Sequence, residues 1–314
     1  KKKAKNYFHL FNNANPRLVP DEGLKFNKDA LYYDMSGEKY LIILNQHTFK
    51  KTIFFRNQQP STRNGTDNDV KSLKKVFGNL GFKDQNIIVF RDLEYEGIIK
   101  NLTAIATQDH SQTSCICVTI LTHGDRGGEV HAADRPYLLT DVIAIFEKQR
   151  SLVNKPKLFF VQACRGGSMD AGNTVSLDSH SDSVLTIPTH ADFLVLCSTV
   201  EGSKPLKENT PNKHFLSMIY RKFAFFNRLL KKEEVLNSDV YYLSYRDMNG
   251  SWMIQALCHI IQNHHEDLDL LHMITLMNRM VAYEKSTYTP SNKAMNNKKQ
   301  MPETRFTLTK LLKF

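Results

Sequence analysis

Apolar and polar positions alternate along the chain in two rhythms. Continuous apolar runs of strand length occur at Tyr40 to Asn45, Ile87 to Phe90, Cys115 to Leu121, Lys157 to Cys164 and Asp192 to Ser198. Such runs, rich in β-branched and aromatic residues, are the pattern of strands buried on both faces. Between them the apolar residues recur at helical spacing. Val70, Leu73, Val76, Phe77 and Leu80 share one face of a helix that Asp67 is placed to cap and Gly81 to stop. Further helices are expected over about 95–108, 140–149, 252–263 and 268–283. The last of these starts at Asp267 and carries the face Leu271, Ile274, Met277, Val281. A final strand, Thr304 to Lys310, alternates Phe306 and Leu308 with threonines. Strands alternating with helices predict an α/β fold, with a mostly parallel central sheet flanked by helices on both faces.

Two stretches break the pattern. Residues 1–38 are polar and irregular, and read as a flexible leader. Residues 166–189 are dominated by Gly, Ser, Asp, Thr and Asn, and read as a linker between two parts of the fold. With 314 residues and 41% apolar content, the chain can bury a substantial core without disulfides or a structural metal. Its five cysteines (115, 117, 164, 197 and 258) lie mostly inside apolar runs and have no metal-ligand companions. Reduced core thiols in a reducing compartment, the cytoplasm or nucleus, are the expectation. No apolar segment of signal-peptide length follows Lys1-Lys-Lys-Ala-Lys5, and no run approaches the roughly 20 apolar residues of a membrane span. A cytoplasmic protein without membrane contact is expected. The net charge of +10 is spread over the ends and the stretch 203–232, with no basic–aromatic cluster beside a reading motif. It is therefore read as solvated surface and not as a nucleic-acid footprint.

In parallel α/β sheets, sites form at the carboxyl ends of the strands. One strand ends Leu121-Thr-His123-Gly124 and another ends Gln162-Ala-Cys164-Arg-Gly166. If these strands are neighbours, His123 and Cys164 meet at one sheet edge. An imidazole there can take the thiol proton and later return it to a leaving amine. The glycines let a substrate pass close to the backbone, and the amides of Gly124 and Cys164 can donate to a developing oxyanion. Gln-Ala-Cys-Arg-Gly matches a known cysteine-peptidase signature with a histidine upstream, here somewhat closer than the roughly 50 residues usual for it.

The sequence resembles the caspase family from about Tyr40 to Lys310. The likeness rests on Arg63-Asn-Gly-Thr-Asp67, Leu121-Thr-His-Gly124, Lys155 to Gly166, Ala191-Asp-Phe-Leu194, Cys197-Ser-Thr199, and Ser244-Tyr-Arg246 before Gly250-Ser-Trp252. The resemblance implies a nucleophile, Cys164, and a proton-transfer partner, His123, with an oxyanion hole at Gly124. A backbone carbonyl near Ser61, with no third carboxylate, would orient the imidazole. It further implies that Arg63, Gln162 and Arg246 hold a substrate aspartate. That assignment suits the chemistry, because planar guanidiniums pair two donors with a carboxylate. Leu243 and Tyr245 would line the subsite for the preceding residue, and Asp247 and Trp252 would lie near a more distant one.

The family's architecture implies a large subunit over 39–170, a linker over 171–189 and a small subunit over 190–314. Activation by cleavage of the linker follows, with Asp178 or Asp182 favoured and Asp170 a further choice. Other implications are a homodimer paired through the last strand, protein substrates with exposed aspartates, inhibitor-of-apoptosis proteins as partners, a role in programmed cell death, and no cofactor. The short leader, with no helical-bundle recruitment domain, resembles an executioner form. A catalytically inactive homologue serving as scaffold or decoy is the alternative. Such homologues lack the Cys, the His or a pocket Arg, and all of these are present. A peptidase directed at Arg or Lys would need an acidic pocket, against which Arg63 and Arg246 argue. One stretch departs from the family pattern. Roughly residues 203–241 separate two segments that the family joins almost directly. Phe215, Ile219, Phe223, Phe226 and Leu230 there share a helical face. A membrane-surface helix and a loop over the active site are possible readings, and translation of an unspliced intron is the preferred one.

Overall fold

The computed structural model describes residues 29–125, 128–163, 191–199, 246–247 (backbone only), 249–286 and 299–314. Six strands form the central sheet: β1 (Glu38–Asn45), β2 (Ile87–Arg91), β3 (Thr113–Leu121), β6 (Lys157–Gln162), β7 (Phe193–Cys197) and β10 (Glu303–Phe306). Their order is β10-β7-β6-β3-β1-β2, all parallel except β10, which runs antiparallel to β7. Two small hairpins lie outside the sheet: β4 (Glu129–His131) with β5 (Pro136–Leu138), and β8 (Arg246–Asp247) with β9 (Gly250–Ser251). The helices described are α1 (Thr66–Asn79), α2 (Tyr95–Ala106), α3 (Leu139–Glu147), α4 (Trp252–His264) and α5 (Leu270–Glu284).

The pleat explains why the strands read as unbroken apolar runs. Successive side chains point to opposite faces, and here both faces are covered. Leu41, Ile43, Cys115, Cys117, Leu158, Phe160, Leu194 and Leu196 join a core with α1, α4 and α5. Ile42, Leu44, Ile116, Val118, Ile120, Phe159, Val161 and Val195 join a second core with α2 and α3. Both cysteines of Cys115-Ile-Cys117 face the first core. They are buried thiols outside any disulfide, as are Cys197 and Cys258.

Several expected boundaries shift, each for a local reason. Gly65, at φ 86°, and not Asp67 is the N-cap of α1. The Asp67 carboxylate instead accepts from Asn45 and pairs with Arg91. Helix α5 starts at Asp269, not Asp267, because the Asp269 carboxylate accepts the amides of Leu271 and His272. Its buried face begins with Leu270 and Met273, and Leu271 is only partly covered. The last strand stops at Phe306, whose ring is about half exposed. The end of the leader is built into the fold. Tyr33 is buried, its hydroxyl donates to Asp192 and accepts from the Thr309 amide, and Tyr32 bridges Leu311. The hairpin β4–β5 has no counterpart in the sequence reading.

Candidate active site

Helix α1 lies on one face of the sheet, and α2 and α3 on the other. β1 leads to β2 on one side, and the chain then returns to place β3 on the other side of β1. The crevice at the carboxyl ends of β1 and β3 is therefore a topological switch point, where open α/β sheets bind ligands. His123 follows β3 by two residues. In the ladder Leu121 stands opposite Gln162, the last residue of β6. The two strand exits that carry the candidate histidine and cysteine thus leave the sheet side by side. Cys164 itself lies outside the described residues. Ala163, just before it, is pinned by Ser198 at the end of β7, whose hydroxyl donates to the Ala163 carbonyl at 2.8 Å.

The imidazole of His123 is held on three sides. Its Nε2 is 2.8 Å from the Ser61 carbonyl. A carbonyl only accepts, so Nε2 carries the proton and Nδ1 is the basic nitrogen. The Phe49 ring tilts against it at 5.0 Å between centroids, and His131 meets it edge-on at 6.1 Å. The loop carrying Phe49 and Ser61 is anchored where it leaves β1: the Asp92 carboxylate accepts the amides of His47 and Thr48 at 2.5 and 2.9 Å. The His131 Nε2–H donates to the Asp125 carboxylate at 2.9 Å, and this bond holds the Asp125 carboxyl below the usual carboxylate range.

Gly124 bridges Val130 in an antiparallel fashion, but the ladder bonds run from His131 to the His123 carbonyl and from Asp125 to the Glu129 carbonyl. In that pattern the Gly124 amide points away from Val130. It is thereby left outside this ladder.

Arg63 is fully buried. Its Nη1 donates to the Gln46 carbonyl at 3.0 Å and to the Thr66 hydroxyl at 2.9 Å, and that hydroxyl donates in turn to the Asn45 side chain at 2.7 Å. Its own amide donates to His47. The cradle is thus made from the carboxyl end of β1 and the first turn of α1. Gln162, also buried, closes β6, with Leu121 of β3 standing between it and Asn45 of β1.

On the other side of the linker, Arg246 and Asp247 form β8, with Arg246 opposite Ser251 and Asp247 opposite Gly250. Trp252, half-buried, starts α4. Leu243, Tyr245, Asp170, Asp178 and Asp182 lie outside the described residues, as does the stretch 203–241. Among the described residues, no group of three or more His, Cys, Asp or Glu is placed to hold a metal ion, and no helix is long and apolar enough to cross a membrane.

One residue of this neighbourhood escaped the sequence reading. Asp69 is fully buried and touches Ser251 and Gln255 from the other part of the chain. Its signal was available, because it sits with Thr66, Leu73 and Val76 on the buried face of α1. A carboxylate on such a stripe needs partners.

Comparison with known proteins agrees with this frame. A model of the caspase domain matches residues 38–224 and 235–313. Caspase-1 of Drosophila melanogaster is 32% identical over 83% of this chain and 70% of its own length. Caspase drICE of the same fly is 31% identical over 81% of this chain and 64% of its own, so the chain spans about two thirds of these relatives. The crystal structure of Caspase-1 from Spodoptera frugiperda superposes with a TM-score of 0.70 at 31% identity, covering 92% of this chain and 95% of that one. The chain belongs to the caspase family. The match includes residues 203–224 and 235–241 and breaks only between 224 and 235, inside the stretch read from the sequence as departing from the family pattern.

Proposed function

We propose that the chain is an active cysteine endopeptidase that cleaves proteins after aspartate. The observation that carries this reading is the meeting, at one switch point, of an imidazole with its Nε2 committed to a carbonyl and a fully buried arginine cradled by uncharged oxygens. In the proposed reaction Cys164 gives its proton to Nδ1 of His123, and the thiolate attacks the carbonyl carbon of the substrate aspartate. The amides of Gly124 and Cys164 take the developing oxyanion. Collapse breaks the C–N bond, and the leaving amine takes the proton from Nδ1. Water, losing its proton to Nδ1, then hydrolyses the thioester and regenerates the thiol. Arg63, Gln162 and Arg246 hold the aspartate carboxylate, with Leu243, Tyr245, Asp247 and Trp252 lining the further subsites.

The same reading carries the family's life cycle. The chain is cut in the linker after Asp178, Asp182 or Asp170, acts in programmed cell death in the cytoplasm, and is met there by inhibitor-of-apoptosis proteins. It pairs through β10, whose outer edge ends the sheet and offers backbone groups to a second copy. Residues about 203–241 are absent from the working protein on this view; peptides from Phe215 to Leu230 in protein from its native source would contradict that.

Cys164→Ala is the direct test. Cleavage of an aspartyl peptide should vanish while the circular dichroism spectrum and unfolding midpoint stay those of the parent. Cleavage comparable to the parent would remove Cys164 from the mechanism. A parent protein that cuts nothing while folded would be the scaffold.

A further inference from the structure

We propose that Asp69 is the positioning residue of the aspartate pocket, fixing the hairpin that carries Arg246 against the helix that begins beside Arg63. The proposal rests on the reading of Arg63 and Arg246 as the pocket.

The Asp69 carboxylate has donors on both oxygens. The Ser251 amide donates at 2.9 Å to Oδ1 and 3.1 Å to Oδ2, the Ser251 hydroxyl at 2.8 Å to Oδ2, and the Gln255 amide nitrogen at 2.8 Å to Oδ1. The Gln255 side chain is oriented for this, since the Ser72 hydroxyl donates to its Oε1 at 3.2 Å. Burial leaves the Asp69 carboxyl above its usual range, against the opposing pull of its hydrogen bonds and of the Arg63 charge. An acceptor-only group matches this set of donors. An asparagine would turn its own NH2 toward one of them.

The backbone is cut to the same shape. Gly250 has φ 121°, and any Cβ there would run into the Asp69 carboxylate and the Gln255 amide. Ser251 is both the residue opposite Arg246 in the hairpin and the N-cap position of α4. An anion at that helix start is further favoured by the helix dipole. One carboxylate thus joins three things: the first turn of α1 next to the Arg63 cradle, the strand opposite Arg246, and the start of α4. These come from the two sides of the linker. The sheet edge that carries His123 is reached by none of these bonds.

The consequence is a division of labour. Disturbing Asp69 should misplace Arg246 relative to Arg63 without disturbing the imidazole. In Asp69→Asn the KM for an aspartyl peptide should rise by about ten- to a hundredfold, since misplacement of a positioning group by about 1 Å has effects of that size. The kcat per titrated active site should stay within about threefold, and the alkylation rate of Cys164 by iodoacetamide should not change. A merely structural role would instead lower the titrated fraction and the unfolding midpoint and leave KM alone, which would overturn the proposal.

If Asp69→Asn does not fold, Ser251→Ala decides. It removes one donor and should raise KM about threefold, and an unchanged KM would refute the coupling. Arg63→Ala is run beside them. Retained cleavage of aspartyl peptides by Arg63→Ala sinks the pocket reading itself. Lost cleavage there with unchanged KM in Asp69→Asn and Ser251→Ala sinks only the role of Asp69.

Discussion

The two arginines of the proposed pocket are held in different ways. Arg63 sits within its own half of the chain. It is buried, its backbone is tied to His47, and its guanidinium is bonded to Gln46 and Thr66. Arg246 stands on a two-residue strand whose partner, Ser251, is tied to the other half through Asp69. A cation built into a rigid cradle costs little reorganisation when a substrate carboxylate arrives. A cation on a short hairpin is only as well placed as the contact behind it. The comparison teaches that one side of the pocket is fixed by folding of the first half alone, and the other by docking of the second.

The largest expected effect is on the rigid side. Arg63→Ala removes the proposed buried partner of the substrate carboxylate, and kcat/KM for aspartyl peptides should fall on the order of a thousandfold, about 4 kcal/mol. Steady-state kinetics at fixed ionic strength would show it. A smaller loss than that of Asp69→Asn would reverse the ranking of the two sides.

A smaller effect sharpens what makes the cradle rigid. Thr66→Val keeps the shape but takes away the acceptor for Arg63 and the donor to Asn45. A loss of about 1–2 kcal/mol is expected, seen as roughly a tenfold rise in KM. An unchanged KM would show that Gln46 alone suffices.

The smallest effect on catalysis is expected at the opposite end of β6, and it serves as the contrast. Lys157 is buried, with its ammonium over the Phe193 ring and donating to the Leu152 carbonyl. Burial pulls its pKa down from 10.5 to about 8. Below pH 8 the group is charged in both folded and unfolded chains, and the burial penalty is present in full. Between about 8 and 10.5 the folded chain has released the proton and the unfolded chain has not, so stability gains as pH rises. Lys157→Met should therefore be more stable than the parent at pH 7, by up to about 3 kcal/mol, with the gap closing by pH 10. Denaturant titrations at the two pH values measure it, with kcat/KM unchanged. A gap that widens with pH would contradict the sign.

The sheet was legible because β1, β3, β6 and β7 are covered on both sides, so most of their positions are apolar. The candidate histidine was legible because it follows a strand end, and Arg63 because it stands just before a helix start, each in a short, specific motif. What escaped is either too short and local to show a pattern or depends on contacts far apart in sequence. The hairpin β4–β5 has strands too short to show alternation. The choice of Asp269 over Asp267 as cap turns on which carboxylate reaches two amides. Asp69 was visible only as an oddity on an apolar face, and its partners Ser251 and Gln255 lie on the far side of the linker. The leader's packing was hidden for the same reason, since Tyr33 meets Asp192 and Thr309.

The central claim is that buried cationic donors select an aspartate carboxylate for attack by Cys164. The most direct measurement is kcat/KM on two peptides identical except for Asp or Asn before the cleaved bond, with active sites titrated. Sites built around such donors reject the analogue that leaves them unpaired by about 10⁴-fold. A preference of that order for the aspartyl peptide is expected, and cleavage of the asparaginyl peptide at a similar rate would contradict it.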